Sequence, residues 1–273
     1  MRLGLKAGQW GWSLDELEAA WRVAEEAGLD LISCFDHVSG EPGNSTAWDA
    51  PTLLALMAAR TERVRLAVHV LNASLRPPLL LAGQLAVVQE ASRGRLEVGL
   101  GAGSFHLARF DHRVAGIPFP AHAERIRRLE ACCGAFPALW RGERVTDGTL
   151  GLRDATLGPR ATAPPPIVVG GTSDAVLEIA ARWAEGWNAS SVDPARFERL
   201  VERLVSAAER VGRTRPIDRQ VQIWAREAPL ERLGDLMRSF ADAGADTFIL
   251  VLDEERDPRR VPRIVDALVR GST

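Results

Sequence analysis

Eight times along the chain, a short strand-forming run is followed by a stretch with helical periodicity, and this alternation constrains the fold more than any single residue does. The first unit is RLGLKA (2–7) and a helix opened by Ser13, with Glu16 three residues on in capping-box spacing. Leu14, Leu17, Trp21 and Ala24 share one face of that helix, and Gly28 supplies the stop. LDLISCF (29–35) then precedes a helix over 48–60, VRLAVHV (64–70) one over 78–92, and RLEVGLG (95–101) one over 121–140. PIVVGG (166–171) precedes 173–184, and GWNAS (186–190) precedes a helix with Asp193 as cap and Pro194 in its first position. RQVQIW (219–224) and DTFILVL (246–252), each with a following helical pattern, complete the series.

Several of these strands are continuous apolar runs, as a parallel sheet covered by helices requires. Eight βα units in 273 residues fit an α/β fold of the closed (β/α)8 TIM-barrel type, a single domain over 1–273. A doubly wound open sheet competes, but its dinucleotide fingerprint is absent. GLGAGSF (99–105) has glycines at 99, 101 and 103, so the GxGxxG spacing fails.

In a barrel of this kind, chemistry belongs at the carboxyl ends of the strands. Strand 2 ends in Asp36 and His37, an acid and an imidazole side by side, where a solvated rim holds polar groups at little desolvation cost. The corresponding stretches elsewhere are His69 to Asn72, Gly101 to His106, Gly170 to Ser173, and Trp187 to Ser190. VVGGTSDA sets two glycines and two hydroxyls at a helix start, where free N–H groups and the helix dipole suit a phosphate. Trp10, Trp48, Phe105 and His106 are candidate substrate-pocket walls by rim position.

Other classes of function find little support. The net charge of -2, without a basic stripe, argues against nucleic acid as a partner. No apolar run reaches the ~18 residues of a membrane span, so a cytoplasmic protein without membrane contact is expected. Cys34, Cys132 and Cys133 form no CxxC and leave an odd thiol, so neither a disulfide nor structural zinc is expected. The HxH of metal-dependent hydrolase barrels is missing from strand 1, and His106, Asp111, His112 and His122 read as an irregularly spaced loop; no metal is expected. Lys6, the only lysine, reads as an ordinary strand-end cation.

The segments GWSLDELEAAWRVAEEAGLDLISCFDHV, WDAPTLLALMAARTERVRLAVHVLNASLRPP, ASRGRLEVGLGAGS, GIPFP with ERIRRLE and LWRGERV, and PPPIVVGGTSDAVLEIAARWAEGWN resemble, in order and spacing, the luciferase-like monooxygenase superfamily, and within it the branch that uses coenzyme F420. Beyond residue 190 the resemblance is to pattern alone. It implies an F420-dependent oxidoreductase that moves a hydride between the deazaflavin and a small organic substrate, with the ring in the barrel mouth. Asp36 and His37 then border the reacting ring carbon as catalytic residues, with Asp36 also touching cofactor. His69 and Val70 align with a non-proline cis peptide against the ring, and Asn72 with a ring-edge contact. Gly101, Ala102, Gly103, Gly170, Gly171 and Thr172 align with the phosphate contacts. The alternatives are an FMN-dependent monooxygenase on the same fold and a non-catalytic flavin or deazaflavin binding protein. The family also implies a homodimer.

The chain departs from the family pattern in places. GSFHLARFDHRVAG lacks the acidic residues many relatives carry after strand 4, and the hairpin DGTLGLRDA has no tyrosine. Strand 7 leads almost at once into helix 7, and Pro137 predicts a kink in the helix after strand 4.

Overall fold

The computed structural model describes residues 1–7, 10–38, 47–103, 106–158, 160–252 and 258–271. In chain order its barrel units are β1 (Arg2–Lys6), α1 (Leu14–Glu26), β2 (Leu31–Cys34), α2 (Ala50–Arg60), β3 (Arg65–Asn72), α3 (Pro78–Ala91) and β4 (Leu96–Gly101). An excursion follows: α4 (His106–Val114), α5 (His122–Trp140) and the hairpin β5 (Val145–Asp147) with β6 (Leu152–Ala155). The barrel resumes with β7 (Ile167–Gly170), α6 (Asp174–Trp183), β8 (Gly186–Ser190), α7 (Pro194–Arg210), β9 (Asp218–Trp224), α8 (Leu233–Asp242), β10 (Thr247–Val251) and α9 (Val261–Gly271). Eight strands pair in parallel in the closed order β1-β10-β9-β8-β7-β4-β3-β2, with β1 bonded to both β10 and β2. The expected (β/α)8 barrel is the observed fold.

Local signals act where they stand in the sequence. Ser13 Oγ accepts from the Glu16 N–H while the Glu16 carboxylate accepts from the Ser13 N–H, a complete capping box. Asp193 caps α7 by accepting from the Arg196 N–H, and Pro194 is its first residue. Two expectations need correction. Residues 106–114 form a helix, not a loop. Two short 3-10 turns, Ala225–Glu227 and Leu230–Arg232, separate β9 from α8, so that junction is longer than expected. The helix α5 continues through Pro137 to Trp140, with the backbone N–H that Pro137 lacks missing from its last turn.

The strands also alternate more than their composition suggests. Leu66, Val68, Val98, Leu100, Val169, Val221, Phe248 and Leu250 belong to the large core cluster between barrel and helices. The intervening positions meet across the barrel axis. At the amino-terminal floor, Arg2 donates to Glu97 (2.8 Å) and pairs with Asp218, while Arg65 donates to the same Glu97 oxygen (2.6 Å). Above lies a small apolar layer of Leu31, Ala67 and Ile249, beside Gly4. Above that, the interior turns polar again with Lys6, Ser33, His69, Asn188 and Gln222, all buried. The barrel is filled by layers of side chains, as in other closed (β/α)8 cores, and the upper polar layer supports the mouth.

Candidate active site

Beyond the end of β2, the chain passes through Phe35, Asp36 and His37. Asp36 does not stand on a solvated rim as expected: its side chain is fully buried. Arg76 faces it at 2.7 Å, and the Asn72 backbone N–H donates to it at 2.8 Å. Burial raises the Asp36 carboxyl above its ordinary value, with Arg76 and the Asn72 N–H pulling the other way. Arg76 is shared with Asp49, the cap of α2 (2.8 Å). Asp36 thus ties β2 to the end of β3 and, through Arg76, to α2.

His37 is placed differently. Its side chain is 16% exposed, and Nδ1 lies 2.6 Å from Asp111 Oδ2 on α4. The other Asp111 oxygen accepts from the Val38 N–H at 3.1 Å. An ionised carboxylate only accepts, so Nδ1 carries the proton and Nε2 is left to address whatever occupies the mouth. The Trp10 ring packs 5.0 Å from the imidazole and 4.7 Å from Phe35, and Phe35 stacks on Trp224 at 5.6 Å. These rings build an apolar wall beside a single imidazole. Lys6 lies beneath it, fully buried, and is no solvated strand-end cation: Nζ donates to the His69 carbonyl (2.5 Å) and to Gln222 Oε1 (3.0 Å), and sits 3.3 Å from the Phe35 ring centre.

The end of β3 carries a cis peptide between His69 and Val70, and the β3–β4 register shifts between Val68 and Leu71. Val70 then fills the space that neighbouring glycines leave. A Cβ on Gly101 would stand 2.4 Å from Val70 Cγ2, and one on Gly170 would stand 2.6 Å from Val70 Cγ1. Gly103, at φ +63°, makes the same allowance for the Asn72 amide at 2.6 Å. The glycines at 101, 103 and 170 therefore seat Val70 and Asn72 first. The Asn72 amide is held at both ends: Oδ1 accepts from the Ser74 N–H (3.0 Å), and Nδ2 faces His112 Nε2 (3.1 Å).

At β7 the turn through Gly170, Gly171 (φ +135°) and Thr172 leads into α6, whose cap Ser173 makes no side-chain capping bond. The helix α5 likewise begins without a side-chain cap, at Ala121. Its Arg125 is buried, donates to the carbonyls of Ala102 (3.0 Å) and Pro120 (2.7 Å), and has no carboxylate partner among the described residues. Uncapped N–H groups and a cation without a counter-ion suit an anion at this end of the barrel. Sequence reasoning missed Arg76 and Arg125, the first arginine of ERIRRLE, and it weighed Asp111 only as a metal ligand in an irregular loop.

The remaining candidates are dispersed. Trp48 is 40% exposed and donates its indole N–H to the Trp12 carbonyl (2.8 Å), His106 is exposed at the start of α4, and Phe105 lies outside the described residues. Cys34 and Cys132 are buried and pushed up to about 12 by that burial, so both stay protonated and inert. Among the described residues no group of three or more His, Cys, Asp or Glu side chains is arranged to hold a metal ion.

With this geometry in view, comparison with known proteins finds that the family model for luciferase-like monooxygenases matches residues 2–243. The chain belongs to the luciferase-like monooxygenase family. It is 33% identical over 222 residues to an F420-dependent glucose-6-phosphate dehydrogenase of Beutenbergia cavernae, an alignment covering 78% of this chain and 64% of that protein. A protein of the same name from Microbacterium testaceum is 32% identical, with 79% and 65% covered. The chain thus spans a little under two thirds of the length of these relatives. Among solved structures, an F420-dependent secondary alcohol dehydrogenase in complex with an F420-acetone adduct superposes with a TM-score of 0.85 at 14% identity, covering 100% of this chain and 99% of the other. At that identity the likeness establishes the fold alone.

Proposed function

We propose that this family member is an F420-dependent oxidoreductase that transfers a hydride between the deazaflavin cofactor and a small organic substrate. The observation that carries the reading is His37: one imidazole, with Nδ1 committed to Asp111 and Nε2 left toward an apolar wall at the barrel mouth. The relatives' names point to the same cofactor.

The residues fit such a cofactor. A planar ring would lie against the His69–Val70 bulge and the Asn72 amide, above the buried polar layer. A phosphate would be met by the Gly170–Thr172 turn, the uncapped start of α6, and Arg125 beside Ala102. When bound, the deazaflavin supplies a carbon centre restricted to two-electron hydride exchange. This chain supplies position and the proton. His37 Nε2 takes the proton from a substrate hydroxyl, or returns it to a carbonyl oxygen, while Asp111 stabilises the imidazolium. Trp10, Phe35 and Trp224 keep water from the substrate, and Asp36 with Arg76 holds the ends of β2 and β3 in register.

Fluorescence titration with F420 and, separately, with FMN tests the reading. Saturable micromolar binding of F420 alone is the expected result. Preference for FMN would move the protein to oxygen-dependent monooxygenase chemistry, and tight binding with no His37-dependent turnover would make it a carrier of the cofactor.

The same reading includes a cytoplasmic homodimer. Among the described residues no helix is long and apolar enough to cross a membrane. The helix α3 presents Leu80 (64% exposed) and Val87 (66%) seven residues apart on one outer face, a surface a second copy would cover. Sedimentation equilibrium reads the mass directly.

A further inference from the structure

We propose that α4 is a positioning element that sets two groups of the mouth at once, with Asp111 orienting His37 and His112 orienting Asn72. The inference rests on the reading of His37 as the proton-handling group. Asp111 and His112 are adjacent, 2% and 0% exposed, in a nine-residue helix whose His106, Arg109 and Arg113 face solvent. Two consecutive buried polar residues in so short a helix would be unfavourable without partners. Each has partners, and each reaches a different strand end.

Asp111 uses one oxygen on the His37 ring and the other on the Val38 N–H, so it holds both the side chain and the backbone that follows it. The ring is thereby fixed as the Nδ1–H tautomer. His112 Nδ1 lies 2.9 Å from the Pro118 carbonyl, which only accepts, so the proton sits on Nδ1 and Nε2 is an acceptor. That acceptor takes an Asn72 Nδ2 hydrogen at 3.1 Å, while the Ser74 N–H occupies Asn72 Oδ1. The Phe119 ring, edge-on to His112 at 5.0 Å, keeps the imidazole plane in place. Both mouth groups therefore have their hydrogen-bonding polarity dictated by one helix, 74 residues from His37 and 40 from Asn72 along the chain. Asp111 and His112 are both buried, and both act through another side chain.

The test begins on the cofactor-free protein. Histidine labelled with 15N, in a long-range 1H–15N correlation at slightly alkaline pH, reads the tautomer of each of the five imidazoles. The expected wild-type pattern has a proton on Nδ1 and a bare Nε2 for both His37 and His112. In Asp111→Asn and Asp111→Ala, the His37 signals are expected to lose the single-tautomer pattern, with kcat falling on the order of 10²-fold or more, as when an imidazole loses its orienting carboxylate, and KM changing little. Asp111→Glu, which keeps the carboxylate, recovers part of both. In His112→Phe, the Asn72 side-chain amide signals shift and F420 binds more weakly, while the His37 tautomer is unchanged.

A His37 tautomer unaltered in both Asp111 variants, or a fall in kcat without any tautomer change, overturns the proposal and leaves α4 a packing element. Should the Asp111 variants not fold, unchanged Asn72 amide signals in His112→Phe overturn it equally. If the wild-type protein neither binds nor turns over F420 but the tautomer shifts occur, the cofactor reading fails while the orienting role of α4 stands.

Discussion

Two buried carboxylates sit at opposite ends of the barrel, each against arginine, and their environments drive them in opposite directions. At the floor, burial alone would raise Glu97, but Arg2 and Arg65 on the same oxygen bring it below its ordinary value. At the mouth, burial raises Asp36 and its single Arg76, shared with Asp49, does not overcome it. The floor is a closed ion network with Asp218 and Thr247 inside it. Among the described residues the mouth keeps an imidazole with one nitrogen uncommitted, the starts of α5 and α6 without side-chain caps, and a buried arginine without a carboxylate. Where the charges are paired the barrel gains stability; where polar groups are left over at its mouth it has groups to offer a ligand.

The sharpest way to break this comparison is to remove one residue from each end. His37→Ala is expected to lower kcat by about 10²- to 10⁴-fold with a stability loss of about 1 kcal/mol, because buried Asp111 loses the ring but keeps the Val38 N–H. Glu97→Ala should do the reverse, lowering stability by about 3 kcal/mol while the folded fraction turns over normally; this is the low end for a broken buried pair because both arginines keep some solvent. Equal effects of the two on stability would erase the distinction.

Acid titration probes the layer between. Burial, followed by the Lys6 charge, pushes His69 down to about 3. Below the unfolded value of about 6.5, the unfolded chain takes a proton that the folded protein refuses. Stability is therefore complete above that value and falls by about 1.4 kcal/mol per pH unit as pH drops toward the folded one. His69→Gln should flatten that slope in urea titrations between pH 6 and 4; an unchanged slope would mean that His69 is accessible to protons.

A smaller effect is expected at the wall of the mouth. Gly101→Ala should lower stability by about 1 to 3 kcal/mol, because its Cβ meets Val70, and Val70→Ala in the same chain should recover part of the loss. Strict additivity in that cycle would show that the two do not compete for one space. Smallest of all, Ser13→Ala should cost about 1 kcal/mol through the lost cap, with kcat untouched.

Much of the fold was legible in the sequence because its signals are local. The Ser13 capping box, the Asp193–Pro194 start and the eight strand runs need only a few neighbouring residues to be recognised. The short helix α4 was not legible: HLARFDHRV mixes charge and ring along its length, and only burial against two strand ends explains Asp111 and His112. The site divided in the same way. His37 stood out at a strand end, and the glycine turns stood out by composition. That Gly101 and Gly170 make room for Val70 could be learned only from the approach of β3 to β4 and β7.

The order and periodicity of the chain by itself determined a closed barrel of parallel strands, the end of that barrel where chemistry sits, and His37 as the residue to watch. Tertiary structure decided how that imidazole is held, that Asp36 is buried against Arg76, that Lys6 is buried beneath the mouth, and that Arg125 is buried beside the Ala102 carbonyl. The physical reason is range. Periodicity, caps and turns act within about one turn of chain, whereas tautomers, buried charges and room for a side chain depend on groups that folding brings from 30 to 75 residues away, such as Asp111 to His37.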